Sequence, residues 1–407
     1  MAEIRDYEPI VGRAVIADLE RIASRLAGRT IQNVNSTAVG GGVAEILIRM
    51  IPLLKNLGVA ARWNVIKGNE AFFRITKKMH NALHGAPTVF LPEETELFLE
   101  TNRWNAENLD LDGDIIFIHD PQPIALITQK KAAGQRWIWR CHIDFSNPDE
   151  STWAFLKTYV ERYDVGIFSA PSFARDLTIP QALISPSIDP LSDKNRELPQ
   201  STIDEVLAKF AIDPGRPIVA QISRFDYLKD PVGVVSVFRQ VRKYVDVQLV
   251  LAGSGATDDP EGERVFSEVR EAVAGDKDIF LLLLPPGSDI EINALQRASS
   301  VILQKSLREG FGLTVSEALW KAKPVIAGAV GGIPLQITHK YSGLLTHTLE
   351  GTAFALKQLL QDPAYAKRLG ENGREHIKKN FLITRHLKDY MLLFLSLDHP
   401  GENVVFL

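Results

Sequence analysis

Glu309 and Glu317 stand eight residues apart in REGFGLTVSEALWKAK (308–323), either side of a glycine-bearing turn that runs into a helical pattern. An acid in such a loop has no helix end to cap, so Glu309 is open to hydroxyl recognition. Glu317 carries a structural alternative. With Thr314 it matches the S/T-x-x-E capping box, in which the Glu takes the N-cap backbone N–H, a contribution of roughly 1 kcal/mol. Gly310 and Gly312 allow a sharp turn. The N–H groups from Phe311 to Leu313 then lie at the positive end of a helix, which is an anion site. An anion site flanked by two carboxylates suits a ligand both phosphorylated and rich in hydroxyls. A nucleotide-sugar has that character.

Further candidates follow other apolar runs. SRFDYLKD (223–230) places Arg224 and Lys229 around a turn, where fork and point-charge contacts would hold a diphosphate. HDPQP puts His119 and Asp120 at the end of one run, and RCHID puts His142 and Asp144 at the end of another. Two imidazole–carboxylate placements at equivalent positions suit hydroxyl recognition or proton handling, against the alternative of buried structural histidines. Their spacing lacks the i, i+4 pattern of H-E-x-x-H, so no metal site is expected. AVGGGVAEI (38–46) sets Gly40, Gly41 and Gly42 between a strand pattern and a helix pattern. Backbone N–H groups there approach a phosphate or sugar closely, unless the glycines serve only a tight turn. The pattern is not G-x-G-x-x-G, and Arg62 and Trp63 stand where the ribose-binding acid of a nicotinamide fingerprint belongs. The later AGSGATDD also lacks the third glycine, so dinucleotide binding is disfavoured.

The elements that must position these residues are short apolar runs alternating with amphipathic segments. Strands are expected at 30–37, 59–66, 114–120, 136–144 and 165–170, then at 217–225, 247–253, 279–285, 301–306 and 324–330. Helical spacing fills the gaps, as in GVAEILIRMIPLLKNLG, PQPIALITQKK, PDESTWAFLKTYVERY, VGVVSVFRQVRKY and EGERVFSEVREAV. Alternation of this kind calls for parallel sheets covered on both faces, and 407 residues suggest two such doubly wound α/β domains. The proline-rich polar stretch 185–200 is the expected linker, dividing an N-terminal domain 1–195 from a C-terminal domain 196–381. The expected active site is the cleft between two such domains, beyond the carboxyl ends of the strands.

Composition narrows the class. Net charge is −4, 45% of residues are hydrophobic and 24% charged, which gives no reason to expect nucleic acid or a membrane as partner. Cys141 is the single cysteine, so an intrachain disulfide and a cysteine zinc cluster are excluded. The N-terminal stretch lacks a signal-peptide pattern, no run of about 18 apolar residues occurs, and a cytoplasmic protein is expected.

Together these residues resemble the retaining glycosyltransferases of family 4, whose signature E-x₇-E is matched by Glu309 and Glu317. VNSTAVGGGVAEI, HDPQPIAL, WRCHID, SPSIDPLSDKN, SRFDYLKD, DDPEG and AVGGI extend the resemblance to the trehalose glycosyltransferring synthases, from about residue 30 to 385. The resemblance implies a GT-B fold of two facing Rossmann-like domains, with a C-terminal helix near 382–397 packing back on the first. It implies transfer of glucose from UDP- or ADP-glucose to free glucose, giving α,α-trehalose with retention. Arg224 and Lys229 would bind the diphosphate and stabilise its departure. Glu309 would hold donor-glucose hydroxyls, Glu317 the ribose, and Gly312 and Leu313 would offer backbone N–H groups. His142 would contact the donor sugar, Gly41 and Gly42 the phosphates, and Asp120, with His119 and Asp144, the acceptor side.

No metal is implied for catalysis, although Mg²⁺ can accompany the nucleotide, and the family allows a homodimer. One departure stands out: Asp230 follows Lys229 where the family usually has Gly, and a solvent-facing carboxylate is expected there. A trehalose phosphorylase and a sucrose-type glucosyltransferase are rival readings on the same fold. A non-catalytic sugar-nucleotide sensor is the rival from another class, disfavoured because both cations and both acids are present.

Overall fold

A computed structural model describes residues 2–38, 41–130, 134–254 and 260–399; the side chains of Ser254, Pro260 and Glu261 are not described. Gly40 of the glycine run, most of AGSGATDD and the first two residues of DDPEG therefore lie outside the description.

The chain divides into two compact units. One comprises the residues up to Ser187 together with those from Ile383 onward, and the other is Ile188–Leu382. The division falls at Ser187 rather than at 195, because the turn after Ile188 is bonded into the second unit. Asn195 Nδ2 donates to Asp189 O, Asn293 Nδ2 donates to the carbonyls of Asp193 and Arg196, and Lys321 Nζ donates to Asn195 Oδ1 at 3.0 Å.

The first unit holds strands β1 (Thr30–Asn35), β2 (Ala60–Val65), β3 (Ile115–His119), β4 (Arg136–Arg140), β5 (Val165–Phe168) and β6 (Gln181–Leu183), in the order β2-β1-β3-β4-β5-β6. Every neighbouring pair is parallel. β3 is buried at all five positions, as a strand covered on both faces must be. Trp137 and Trp139 of the adjacent β4, and Phe168 of β5, are fully buried. The second unit holds β7 (Ile218–Ile222), β8 (Gln248–Ser254), β9 (Ile279–Leu284), β10 (Val301–Gln304), β11 (Val325–Gly328) and β12 (Leu344–Thr346), ordered β12-β11-β10-β7-β8-β9. These pairs too are all parallel. Val219, Leu249, Leu251, Val301 and Leu303 form the core under its helices.

Strand order decides where a ligand can sit. Each sheet has one place where consecutive connections run off in opposite directions and leave a crevice beyond the strand ends. In the first unit that place lies between β1 and β3, and in the second between β7 and β10.

Several sequence expectations are corrected. β4 ends at Arg140, so His142 and Asp144 lie in the following loop. PQPIALITQKK forms a 3₁₀ helix, Ile124–Gln129, instead of an α-helix. The edge strands β6 and β12 are three residues each, too short for any periodicity to reveal. The helix Ile383–Ser396 packs on the first unit. Its Tyr390 and Phe394 rings meet Phe117 of β3 at 5.0 and 5.8 Å, and Arg385 Nη2 donates to the carbonyls of Ser185 and Pro186.

Candidate active site

The crevice between β7 and β10 gathers the charged residues of the second unit. The β7 strand hands over to Ser223 and Arg224, and the Ser223 carbonyl lies so close to Gly253 of β8 that any Cβ there would stand 1.7 Å from its oxygen. A glycine is required at that contact. The chain then makes the 3₁₀ turn Tyr227–Lys229, with Asp226 Oδ1 accepting from the Leu228 N–H at 2.7 Å. This turn aims Lys229 at the loop after β10. Lys229 Nζ donates to Glu309 Oε2 at 2.6 Å, and that oxygen also accepts from Ser306 Oγ at 3.0 Å and Gln304 Nε2 at 3.5 Å. Gly312, in the left-handed region at φ +83°, would place a Cβ 3.1 Å from Glu309 Cγ, so the loop folds tightly over its own acid.

Arg224 is not drawn into that pair. Its guanidinium is half exposed and has Asp226 as its nearest carboxylate, at 3.8 Å. A half-exposed guanidinium together with a fixed ammonium is a suitable clamp for a diphosphate.

The helix Leu313–Trp320 follows, with Gly312 as N-cap and no side-chain cap. This overturns the capping-box reading. Thr314 is the second helical residue, and Glu317 lies one turn inside, almost fully buried at 3% exposure. Glu317 Oε2 accepts from Gln296 Nε2 at 3.3 Å, and Lys194 Nζ stands 3.8 Å from Oε1. Lys321, one turn on, donates to the Glu317 carbonyl at 3.1 Å, and burial pushes its ammonium down to about 7 against the pull of the Glu317 charge. Gly312 and Leu313 sit at the uncapped start of the helix, where anions are favoured.

Asp230 is also corrected. Its carboxylate does not face solvent: Oδ2 accepts from Lys305 Nζ at 2.7 Å, and Oδ1 accepts from the Gly233 N–H as the cap of the helix Pro231–Val241. Its backbone is left-handed (φ +49°), which suits Gly best and Asp better than most residues. Lys305, Ser306 and Gln304 were visible as the end of an apolar run. Their partners were not, because Lys305 pairs with a residue 75 positions away.

In the first unit the crevice between β1 and β3 holds the imidazoles. Gly41, also left-handed at φ +80°, is the N-cap of the helix Gly42–Asn56, without a side-chain cap. His119 Nδ1 lies 3.1 Å from His142 Nε2, and His119 Nε2 lies 3.0 Å from Asn33 Oδ1. The Asn33 amide nitrogen is directed at Arg62 O, so its oxygen faces His119 and the tautomers follow. His119 donates through Nε2 and accepts at Nδ1 from His142 Nε2–H, which leaves His142 Nδ1 as an acceptor. Burial, reinforced by the Arg140 charge, brings the His119 imidazole down to about 3 and holds His142 well below its ordinary value. Both rings are neutral at pH 7.

Asp120 is left-handed at φ +65°; its N–H donates to Arg140 O at 2.7 Å, and its Oδ1 accepts from the His142 N–H at 2.7 Å. Burial raises its carboxyl to about 7, opposed by that hydrogen bond and by Arg140. Asp144 lies further along the loop after β4. It is buried, and its Oδ1 accepts from the backbone N–H and hydroxyl of Ser146, which orders the loop. Among the described residues, no three His, Cys, Asp or Glu side chains come together as metal ligands. None of the described helices is long and apolar enough to cross a membrane.

Two parallel-sheet units, each with polar groups at its switch point, define a GT-B glycosyltransferase, and comparisons agree. Residues 202–376 match the family model for glycosyl transferases group 1, and residues 33–175 match the N-terminal domain of trehalose synthase. The chain belongs to the trehalose synthase family. It is 44% identical over 403 residues to a trehalose synthase of Pyrococcus horikoshii, covering 97% of this chain and 96% of that one. A trehalose synthase of Rubrobacter xylanophilus is 43% identical over 408 residues, covering 97% of both. In fold, a trehalose-6-phosphate protein from E. coli bound with UDP-2-fluoro glucose matches with a TM-score of 0.73 at 16% identity, over 92% of this chain and 99% of that one.

Proposed function

We propose that this chain transfers glucose from a nucleoside-diphosphate glucose to free glucose, releasing the nucleoside diphosphate and forming α,α-trehalose with retention at the transferred carbon. The observation that carries the reading is the Lys229–Glu309 pair at the switch point of the second unit. It places a fixed cation and a hydroxyl-accepting carboxylate side by side, as a ligand with a phosphate next to a sugar requires. Family membership supports trehalose as the product.

In this reading Arg224 and Lys229 take up the charge that develops on the diphosphate as the glycosidic bond breaks. Glu309 accepts from donor-sugar hydroxyls, Glu317 from the ribose, and Gly312 and Leu313 present N–H groups to phosphate. Gly41 and Gly42 give the first unit a second uncapped helix start for the phosphates. His142, held as an Nδ1 acceptor, takes a sugar hydroxyl, and Asp120, with His119 behind His142, serves the acceptor glucose. The paired glutamates do not act as a glycosidase couple, since one is tied to a lysine and the other is buried inside a helix. Retention follows instead from attack on the face the leaving group vacates, with a leaving-group phosphate oxygen taking the proton.

The test is incubation with UDP-glucose or ADP-glucose and free glucose, followed by nucleotide release and anomeric proton NMR. Trehalose formed with nucleoside diphosphate is the expected result. Glucose 1-phosphate from trehalose and phosphate, with no transfer from nucleotide-sugar, would replace the reading with a phosphorylase.

A further inference from the structure

Behind the His119–His142 pair, the first unit buries a second polar group that the proposed reaction does not use. Arg140, the last residue of β4, is completely buried. Its Nη2 donates to Ser169 Oγ at 3.4 Å, while Nε and Nη1 have no protein partner. The guanidinium carbon stands 5.6 Å from the ring centroid of Tyr390, whose hydroxyl also lacks a protein partner. His386, one turn earlier on the same helix, lies with its ring 4.4 Å from that of Tyr390. Its Nδ1 is 2.9 Å from Ser187 Oγ, and its Nε2 is unpartnered.

The charges here do not balance. Asp120 acts on the Arg140 charge only through space, its Oδ1 accepting from the His142 N–H, and Asp389 is paired with Arg385 at 2.7 Å. A buried guanidinium with no carboxylate hydrogen-bonded to it is among the costliest arrangements a fold can hold. The hydrogen-bonding balance leans the same way. Arginine offers donors only, His386 Nε2 is a donor in the tautomer whose Nδ1 accepts from Ser187 Oγ, and the Tyr390 hydroxyl donates to any acceptor presented. Donors without acceptors call for a ligand that only accepts.

We propose that Arg140, His386 and Tyr390 form a binding site for a small inorganic anion of the chloride type, buried inside the first unit. Complete burial of Arg140 and His386, and 1% exposure of Tyr390, favour a monatomic anion over one with several oxygens to satisfy. The site joins the end of β4 to the helix Ile383–Ser396, so the anion ties the returning C-terminal segment to the sheet. This holds whether or not the proposed transfer reaction is correct.

The test uses the full chain exchanged into gluconate at constant ionic strength and titrated with chloride. Tm is expected to rise with the logarithm of chloride concentration above Kd, by roughly 5 °C when chloride is about 100-fold above its Kd. Arg140→Met and Tyr390→Phe should flatten that rise. Crystals soaked in bromide should show an anomalous peak at about 3.3 Å from Arg140 Nε or Nη1. If Arg140→Met does not fold, Tyr390→Phe and the bromide map still decide. A chloride-independent Tm, with ordered water instead of bromide at Arg140, would overturn the site. So would a chloride response that Tyr390→Phe leaves intact while bromide binds elsewhere.

Discussion

Lys229 Nζ donates to Glu309 Oε2 at 2.6 Å across the switch point between β7 and β10, joining residues 80 positions apart. Removing either partner takes the paired charge away from a largely buried group, a second effect beyond any lost substrate contact. Glu309→Ala is expected to lower kcat/KM by at least about tenfold, equivalent to roughly 1.4 kcal/mol of transition-state stabilisation. Steady-state kinetics with circular dichroism checks this. Wild-type turnover in the folded variant would remove Glu309 from the site.

Glu317 is expected to affect nucleotide binding and stability together, but not through a helix cap. Its carboxylate is buried against Gln296 and Lys194, so Glu317→Gln should weaken nucleoside-diphosphate binding and also cost about 1–3 kcal/mol of stability. Thr314→Ala is the control. A lost N-cap would cost about 1 kcal/mol, whereas a second helical position should leave Tm nearly unchanged. Calorimetric titration and thermal melts separate the two.

The pH dependence centres on Asp120 and His119. Asp120 has a folded-state value near 7, raised from 3.8, so its contribution to stability is full below about 4 and is lost as pH rises toward 7. His119 runs the other way: lowered from 6.5 to about 3, it contributes fully above 6.5, and the contribution is lost as pH falls toward 3. The two oppose each other between about 4 and 6.5. Asp120→Asn isolates the first, so wild type should lose Tm relative to this variant from pH 4 to 7 and then level off. If ionised Asp120 binds the acceptor, wild-type kcat/KM should rise with an inflection near pH 7 that Asp120→Asn abolishes. An unchanged profile would exclude Asp120 from acceptor binding.

Asp230 should prove structural. Asp230→Asn keeps an oxygen for the Gly233 N–H but removes the charge facing Lys305, whereas Asp230→Gly removes both and relieves the left-handed backbone. Both variants leave Lys305 largely buried without its carboxylate, so melting curves should show both less stable than wild type and, since relief of strain offsets the lost cap, within about 1 kcal/mol of each other. Its kcat/KM should stay within about threefold of wild type. A larger fall would make the Asp230–Lys305 pair part of the donor site.

By itself the sequence determined the class of fold and the chemical types at the site. The buried parallel strand β3 is apolar until its last residue, and the amphipathic stretches between strands carry a helical period; both signals are local. The glycines and acids of REGFG, the cations of SRFDYLKD and the imidazoles of HDPQP and WRCHID were legible for the same reason, as polar groups where apolar runs end. Only tertiary structure decided their partners. Sequence spacing offered Glu317 a cap and Asp230 solvent, yet Gly312 starts the helix and Lys305 comes in from β10. Strand order likewise chose which loops became neighbours, bringing Lys229 to Glu309 and His119 to His142. The same packing stranded Arg140 beneath Tyr390, because a residue at a strand end cannot foretell which helix will return to cover it. Local periodicity fixes elements, whereas pairing between distant segments is settled by burying them together.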